Sequence, residues 1–175
     1  PAVIWALLMI NLSPFNSLGW LIESTSPEEG KTEFTYRKDG QLRFSQNSKQ
    51  RVENKFAYAN YDHFGRVTEI GVYTKPIQGG YTFQNYTTTS NSDGSNSLLE
   101  NNFSYTNYLE DGLDDNHCTE QVFTLYDKGD VGFSSAIGSS LSPHYKQTFV
   151  RGKVSKTWDH NSTIWYGYDE LGRQT

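Results

Sequence analysis

The densest set of oxygen donors in the chain is Glu110, Asp111, Asp114, Asp115, Asn116 and Glu120. A hard cation such as Ca²⁺ takes several such ligands, but the EF-hand loop requires acids or amides at alternate positions, Gly at the sixth and Glu at the twelfth. This stretch does not supply that order and reads as a solvated acidic loop. His117 and Cys118 are adjacent, whereas zinc sites place ligands in spaced pairs, and His63, His144 and His160 form no second pair. Gly132, Phe133, Ser134, Ser135 and Ala136 begin like a nucleophile elbow but lack the closing Gly and the strand, turn and helix around it. Asp159 beside His160 has the residue types for proton transfer. The span from Trp158 to Asn161 reads more simply as a polar turn leading into a strand. No Gly-rich phosphate loop occurs. With no positive argument for catalysis, a metal or a cofactor, the expectation is a non-enzymatic chain.

A different pattern organises the sequence. Tyr61, Asp62, His63, Phe64, Gly65 and Arg66 share their spacing with Tyr168, Asp169, Glu170, Leu171, Gly172 and Arg173. Asp favours the first position of a type I turn, where its carboxylate accepts a nearby backbone N–H, and a Gly three residues later takes φ > 0 without steric cost. The phrase predicts a β-hairpin corner with a bulge at the glycine. Tyr would end one strand and Arg begin the next, so the guanidinium of each phrase is expected on the ring of the same phrase. Weaker copies are Phe15, Asn16, Gly19 and Trp20, then Tyr36 with Gly40, then Tyr126 and Asp127 followed by Lys128 and Gly129. Tyr81, Tyr105 and Tyr145 fall near where further corners would lie, but in a chain with 12 Tyr and 10 Phe that fit decides nothing.

The phrase resembles the YD repeat of Rhs proteins, a group that includes the cocoon-forming subunits of bacterial insecticidal toxin complexes and the animal teneurins. The resemblance is clearest over residues 15–73 and 150–175, and between them it rests on Tyr126 and Asp127. Ser26, Pro27, Glu28, Glu29 and Gly30 also resemble the Pro-x-x-Gly turn that such repeats place at the opposite end of the hairpin. The resemblance implies a segment of a coiled β-shell, the wall around a C-terminal toxin or effector polypeptide of a larger secreted or cell-surface protein. Its implied partners are that polypeptide and the remainder of a parent chain or assembly, met through open strand edges. Lys38 and Asp39 shift the acid in the second corner, and Trp20 stands where Arg is expected in the first. No Asp-Pro-x-Gly-Leu phrase of the self-cleaving end appears, so protease activity is not carried over. The alternative is a secreted binding module for carbohydrate or a receptor, with Trp20, Trp158 and Trp165 as exposed contacts.

Composition agrees with an all-β reading. Aromatics make up 15% and charged residues 20%, with one Met and one Cys among 175 residues. Tyr, Phe, Thr and Val suit pleated, half-buried surfaces rather than helical bundles. The net charge of −5 and the absence of a basic run argue against nucleic acid. The apolar run 2–10 is too short to span a bilayer, which needs about 20 residues. It reads as a buried strand or short helix packed on the sheet. Strands of about eight to ten residues are expected from 15 to 73, joined by turns at 16–19, 27–30, 38–40, 46–49 and 62–65. Phe34, Tyr36, Leu42 and Phe44 alternate with Thr35, Arg43 and Ser45, which predicts an apolar face covered and a polar face wet.

The expected organisation is therefore an apolar segment at 1–14, hairpin repeats at 15–86, degenerate repeats with polar and acidic loops at 87–149, and resumed, truncated repeats at 150–175. Seven or eight two-stranded units would form a strip on the order of 70 Å wide. Open edges of such a strip invite pairing, which predicts poor solubility in isolation. The absence of an initial Met, together with a last residue two beyond Arg173, reads as a fragment of a longer protein.

Overall fold

The computed structural model describes residues 14–75, 82–88, 98–99, 112–138 and 146–175. The apolar run 2–10 lies outside them, as do Tyr81, Tyr105, Tyr145, Glu110 and Asp111. The described chain is all-β, an antiparallel meander of eight strands in the order β1 to β8. These are β1 (Glu23–Ser26), β2 (Gly30–Tyr36), β3 (Leu42–Gln46), β4 (Lys55–Tyr61), β5 (Val67–Thr74), β6 (Cys118–Tyr126), β7 (Val154–Trp158) and β8 (Thr163–Trp165). Eight strands at about 4.8 Å give a sheet roughly 35 Å wide, half the width expected. The long interval after the corner at 62–66 explains the difference. It contributes no strand between β5 and β6, because Tyr73 pairs directly with Cys118 and Ile70 with Val122.

Connections alternate between the two ends of the sheet. One end carries the corners. The other carries the turn after Ser26, where Ser26 Oγ accepts from Glu29 N–H at 3.0 Å, and the polar turn at Asp159. There the carboxylate accepts from the N–H groups of Asn161 at 2.7 Å and Ser162 at 2.6 Å. Between β3 and β4 the sequence suggests a simple turn, but the chain forms a one-turn helix, α1 (Ser48–Val52). Asn47 and Gln50 cap it reciprocally, side chain to backbone, at 2.8 and 3.0 Å.

In β4 burial alternates strictly, with Phe56, Tyr58 and Asn60 buried and Lys55, Ala57, Ala59 and Tyr61 only partly covered. The register Thr35, Phe44, Tyr58, Gly71 runs across β2 to β5 on that buried face. The next row, Phe34, Ser45, Ala57, Val72, lies on the opposite face. The expected apolar and polar faces are therefore partly exchanged. Thr35 and Arg43 are buried, whereas Phe34, Tyr36 and Leu42 are only half-buried. A bulge causes the change of phase. Thr35 pairs with Phe44 but Tyr36 with Leu42, which leaves Arg43 as the extra residue, turned inward beside Phe44.

The buried face is covered by the chain between β5 and β6. The short helix α2 (Phe83–Thr88) supplies Phe83, and Leu113 joins it over Phe44, Phe56, Tyr58 and Tyr73, with Tyr86, Leu98 and Leu99 packed at the margin. Phe56 lies at the centre, 5.1 Å from Phe44, 5.2 Å from Tyr73 and 5.8 Å from Phe83 between ring centroids. These edge and tilted contacts add to the area each ring buries. Part of the segment expected to hold degenerate repeats thus forms a lid on the core. Its described residues form no strand before β6.

Candidate functional site: the row of hairpin corners

The corners at 62–66 and 169–173 are built alike. Asp62 N–H donates to the Arg66 carbonyl at 2.8 Å and Gly65 N–H to the Asp62 carbonyl at 3.0 Å; the Asp169 corner repeats both bonds at 2.9 Å. Asp62 Oδ1 accepts from the N–H groups of Phe64 and Arg66, both at 2.9 Å, while Oδ2 accepts from Arg66 Nε at 2.7 Å. Asp169 does the same with Leu171 at 2.9 Å, Arg173 N–H at 2.8 Å and Arg173 Nε at 2.7 Å. Gly65 and Gly172 take φ of 78° and 82°, the left-handed region in which a side chain is disfavoured. The Asp169 carboxyl is held below its ordinary range, first by the Arg173 N–H and then by the Arg173 side chain.

The first two corners reach the same backbone geometry with other residues. Asn16 Oδ1 accepts from Leu18 and Trp20 N–H, both at 3.0 Å, as a neutral version of the Asp corner. In the second corner Arg37 stands in the Asp position. Its guanidinium meets Asp39 at 3.1 Å, and Asp39 Oδ1 accepts from Gln41 N–H at 3.1 Å.

The corner containing Tyr126 and Asp127 is split. Asp127 N–H donates to the Lys153 carbonyl at 3.1 Å and Asp127 Oδ1 accepts from Gly152 N–H at 2.6 Å. Gly152 and Lys153 therefore occupy the places of Gly65 and Arg66, and residues 128–151 stand between Asp127 and Gly152 where two residues separate Asp62 from Gly65. Lys128 and Gly129, expected from the sequence to continue this corner, do not. The overlooked signal was a glycine followed by a cation at 152–153, the same pair as Gly65 and Arg66.

Consecutive corners are tied to one another. Tyr36 Oη donates to the Leu21 carbonyl at 2.7 Å, Tyr61 to Leu42 at 2.7 Å, Tyr126 to Val67 at 2.9 Å and Tyr168 to Val154 at 2.9 Å. Each accepting residue is the one paired across the sheet with the preceding corner's aromatic: Phe15 with Leu21, Tyr36 with Leu42, Tyr61 with Val67 and Tyr126 with Val154. The residue after each corner glycine also meets the next corner. Trp20 packs on Tyr36 at 5.5 Å, Arg66 lies over Tyr126 at 4.2 Å and Lys153 over Tyr168 at 4.4 Å. Gln41 reaches forward by hydrogen bond instead, from Nε2 to the Gly65 carbonyl at 2.8 Å. The cation of one phrase thus sits on the ring of the following phrase, where the sequence reading placed it on its own. The strand ladder is the reason: Tyr61 faces Val67 across the hairpin, one residue beyond Arg66.

Arg66 joins two corners by charge. It bonds Asp62 through Nε at 2.7 Å and Asp127 through Nη2 at 2.5 Å. These carboxylates hold the guanidinium firmly protonated, the Asp127 bond being the largest influence. Asp127 is correspondingly held below the ordinary carboxylate range, first by Arg66 and then by the Gly152 N–H.

Beneath the row lies a buried polar chain that the sequence reading missed. The Glu69 carboxylate accepts from Tyr58 Oη at 2.6 Å, Asn60 Nδ2 at 2.8 Å and Gln121 Nε2 at 3.0 Å. Arg43 donates to Asn60 Oδ1 and, at 2.8 Å, to the Ala59 carbonyl. Burial, reinforced by the Glu69 carboxylate, pushes the Tyr58 phenol far above its ordinary range. Arg43 and Glu69 are thereby linked through Asn60, and the set fixes the register of β3 to β6.

The other chemical candidates do not converge. Asp114 caps a short 3₁₀ turn by accepting from Asn116 N–H at 3.0 Å, and His117 lies 3.8 Å from its carboxylate. Cys118 donates to the Asp114 carbonyl at 3.6 Å. Among the described residues no group of three or more His, Cys, Asp and Glu could hold a metal ion. Asp159 is a turn residue and His160 is exposed. Gly132 precedes the short helix α3 (Phe133–Ile137), which no strand enters directly. Among the described residues no helix is long and apolar enough to cross a membrane. No family model matches the chain, and no curated protein does either.

Proposed function

We propose that this chain is a structural, non-enzymatic segment of a YD-repeat β-shell, part of a wall that encloses a C-terminal toxin or effector polypeptide of a larger secreted protein. The observation that carries the reading is the coupling between corners. Each Tyr hydroxyl caps a carbonyl beside the preceding corner, so every hairpin is registered against its neighbour by side chains as well as by the strand ladder. Such an arrangement extends a sheet unit by unit without requiring a closed core, which is what a wall needs. The large rings are also engaged within the molecule. Trp20 meets Tyr36, Phe123 stacks on Trp158 at 5.1 Å, and Trp165 donates to Asp130 at 2.8 Å and packs near Phe133. Rings committed across hairpins favour a wall over a carbohydrate-stacking surface.

The test is the intact mass and sequence of the parent polypeptide, followed by limited proteolysis. A parent many times longer, with further Tyr-Asp-x-x-Gly-Arg phrases on both sides and a C-terminal portion resistant to protease until the wall is denatured, is the expected result. A parent of about this size would exclude encapsulation on volume alone.

A further inference from the structure

The sheet face opposite the core carries a groove across β3 to β6, with a volume of about 360 Å³. That lies within the range of ligand pockets, about 300–1,000 Å³. The bulge in β3 opens it. Arg43 and Phe44 are both buried on the covered face, so between Leu42 and Ser45 the strand adds no side chain to the other face. Beside this gap β4 offers the small Ala57 and Ala59, and Ile70 of β5, 45% exposed, stands at the side.

One charge borders the groove among the described residues. The Arg43 guanidinium is turned away, to Asn60 and the Ala59 carbonyl, which leaves Glu120. A second bulge places it there. Ile70 pairs with Val122 and Val72 with Thr119, so Glu120 and Gln121 both lie opposite Gly71. Gln121 turns to Glu69 on the covered face, whereas Glu120 takes a φ of 53° and lines the groove. Residues other than glycine seldom adopt that left-handed conformation, and such strain concentrates at functional sites. All 15 Lys and Arg residues of the chain are described, and none forms an ion pair with Glu120.

We infer that this groove docks an extended segment of a partner polypeptide that places a large apolar side chain beside a Lys or Arg. The apolar side chain fills the space left over Ala57 and Ala59, and the cation meets the Glu120 carboxylate. Charge complementarity decides among the occupants. Residues 1–13 are largely apolar but hold no Lys or Arg, so they leave the carboxylate unanswered. The same face of a second copy offers another Glu120 and no cation. The groove belongs to β3 to β6 whatever the parent polypeptide contains, and the inference does not depend on the wall reading.

The test uses the full chain and a short labelled peptide with Leu at alternate positions, Ser between them and one central Lys, read by fluorescence anisotropy. A second peptide carries Gln in place of the Lys. Saturable binding of both is expected, the Lys peptide about threefold tighter, as one exposed ion pair provides. Glu120→Gln should erase that advantage and leave the Gln peptide unchanged, and added salt should shrink it. Ala59→Leu, which fills the groove from its open side, should abolish binding of both peptides without moving the unfolding midpoint. The site is overturned by an absence of saturable binding, by equal affinity for the two peptides, or by indifference to Glu120→Gln. A large loss of stability in Ala59→Leu would show that the groove is already filled from within the chain, and would likewise overturn it. Self-association that Ala59→Leu abolishes would give the groove to a second copy instead.

Discussion

Between β2 and β5 the sheet rests on Phe44, Phe56, Tyr58 and Tyr73, each no more than 3% exposed, beneath a lid that includes Phe83 and Leu113. From β6 to β8 no aromatic is buried to that degree among the described residues; the only strand residue buried is Ser155. That half is joined by the Phe123–Trp158 stack and by Asp130, which accepts from Trp165 Nε1 at 2.8 Å and meets Lys156 Nζ at 3.1 Å. Both halves nevertheless use the same corner, down to the Tyr hydroxyl on the carbonyl beside the preceding one. The corner is therefore independent of the core beside it. A hydrophobic core supplies stability in one half, while the corner lattice supplies register in both.

The largest effect that would test this contrast comes from Phe56, which is fully buried. Phe56→Ala should lower stability by about 3–5 kcal/mol in denaturant unfolding, from lost transfer energy and the remaining cavity. Trp158→Ala, in the less buried half, should cost clearly less. Equal losses would mean that the two halves do not differ in the way their burial indicates.

Next in size is Gly71, which lies directly under the Tyr58 ring. A Cβ there would stand 2.7 Å from ring and hydroxyl atoms of Tyr58. Gly71→Ala should cost about 1–3 kcal/mol by overpacking. It should also disturb the hydroxyl bond from Tyr58 to Glu69, visible as a change in tyrosine absorbance. A neutral result would show that the β4–β5 pair can shift, and that the core half is less rigid than its packing implies.

The corner lattice predicts a smaller, symmetric effect. Tyr61→Phe removes a bond at 2.7 Å in the covered half, and Tyr126→Phe one at 2.9 Å where the halves meet. Each should lose about 1 kcal/mol by thermal or denaturant unfolding. Their similarity is the informative outcome, because a large difference would tie the corner to the core after all.

These contrasts also show which features the sequence could display. The contiguous corners were legible because Asp, Gly and Arg act within a few residues, where turn geometry is local. The split corner was not, since Asp127 and Gly152 meet across 25 positions of sequence, beyond the reach of local turn geometry. Phase along β3 was misread for a related reason. The bulge that turns Arg43 inward is set by pairing with β2, and period-two alternation carries no mark of it. The buried chain from Arg43 through Asn60 to Glu69 was hidden likewise, because each of β3 and β5 shows one isolated charge, and a lone charged residue in a strand ordinarily faces water. The all-β character needed none of this, being fixed by Tyr, Thr and Val content and closely spaced turns.

Acid sensitivity provides the finest comparison between the intact and split corners. The folded Asp127 carboxyl has a lowered pKa, with Arg66 as first cause and Gly152 N–H as second. An acid whose folded pKa lies below its unfolded value of about 3.9 stabilises the protein above that pH, and the contribution is lost as pH falls through the folded value. Stability measured from pH 5 downward should therefore begin to decline near pH 4. Asp127→Asn should remove its share of that decline while lowering stability at pH 7, where the charge-assisted bond to Arg66 is absent. Because the side chain is one-third exposed, the effect should be modest and should shrink with added salt. If Asp127→Asn left the acid limb unchanged, Arg66 would be held by Asp62 alone, and the charge link between consecutive corners would not contribute to folding.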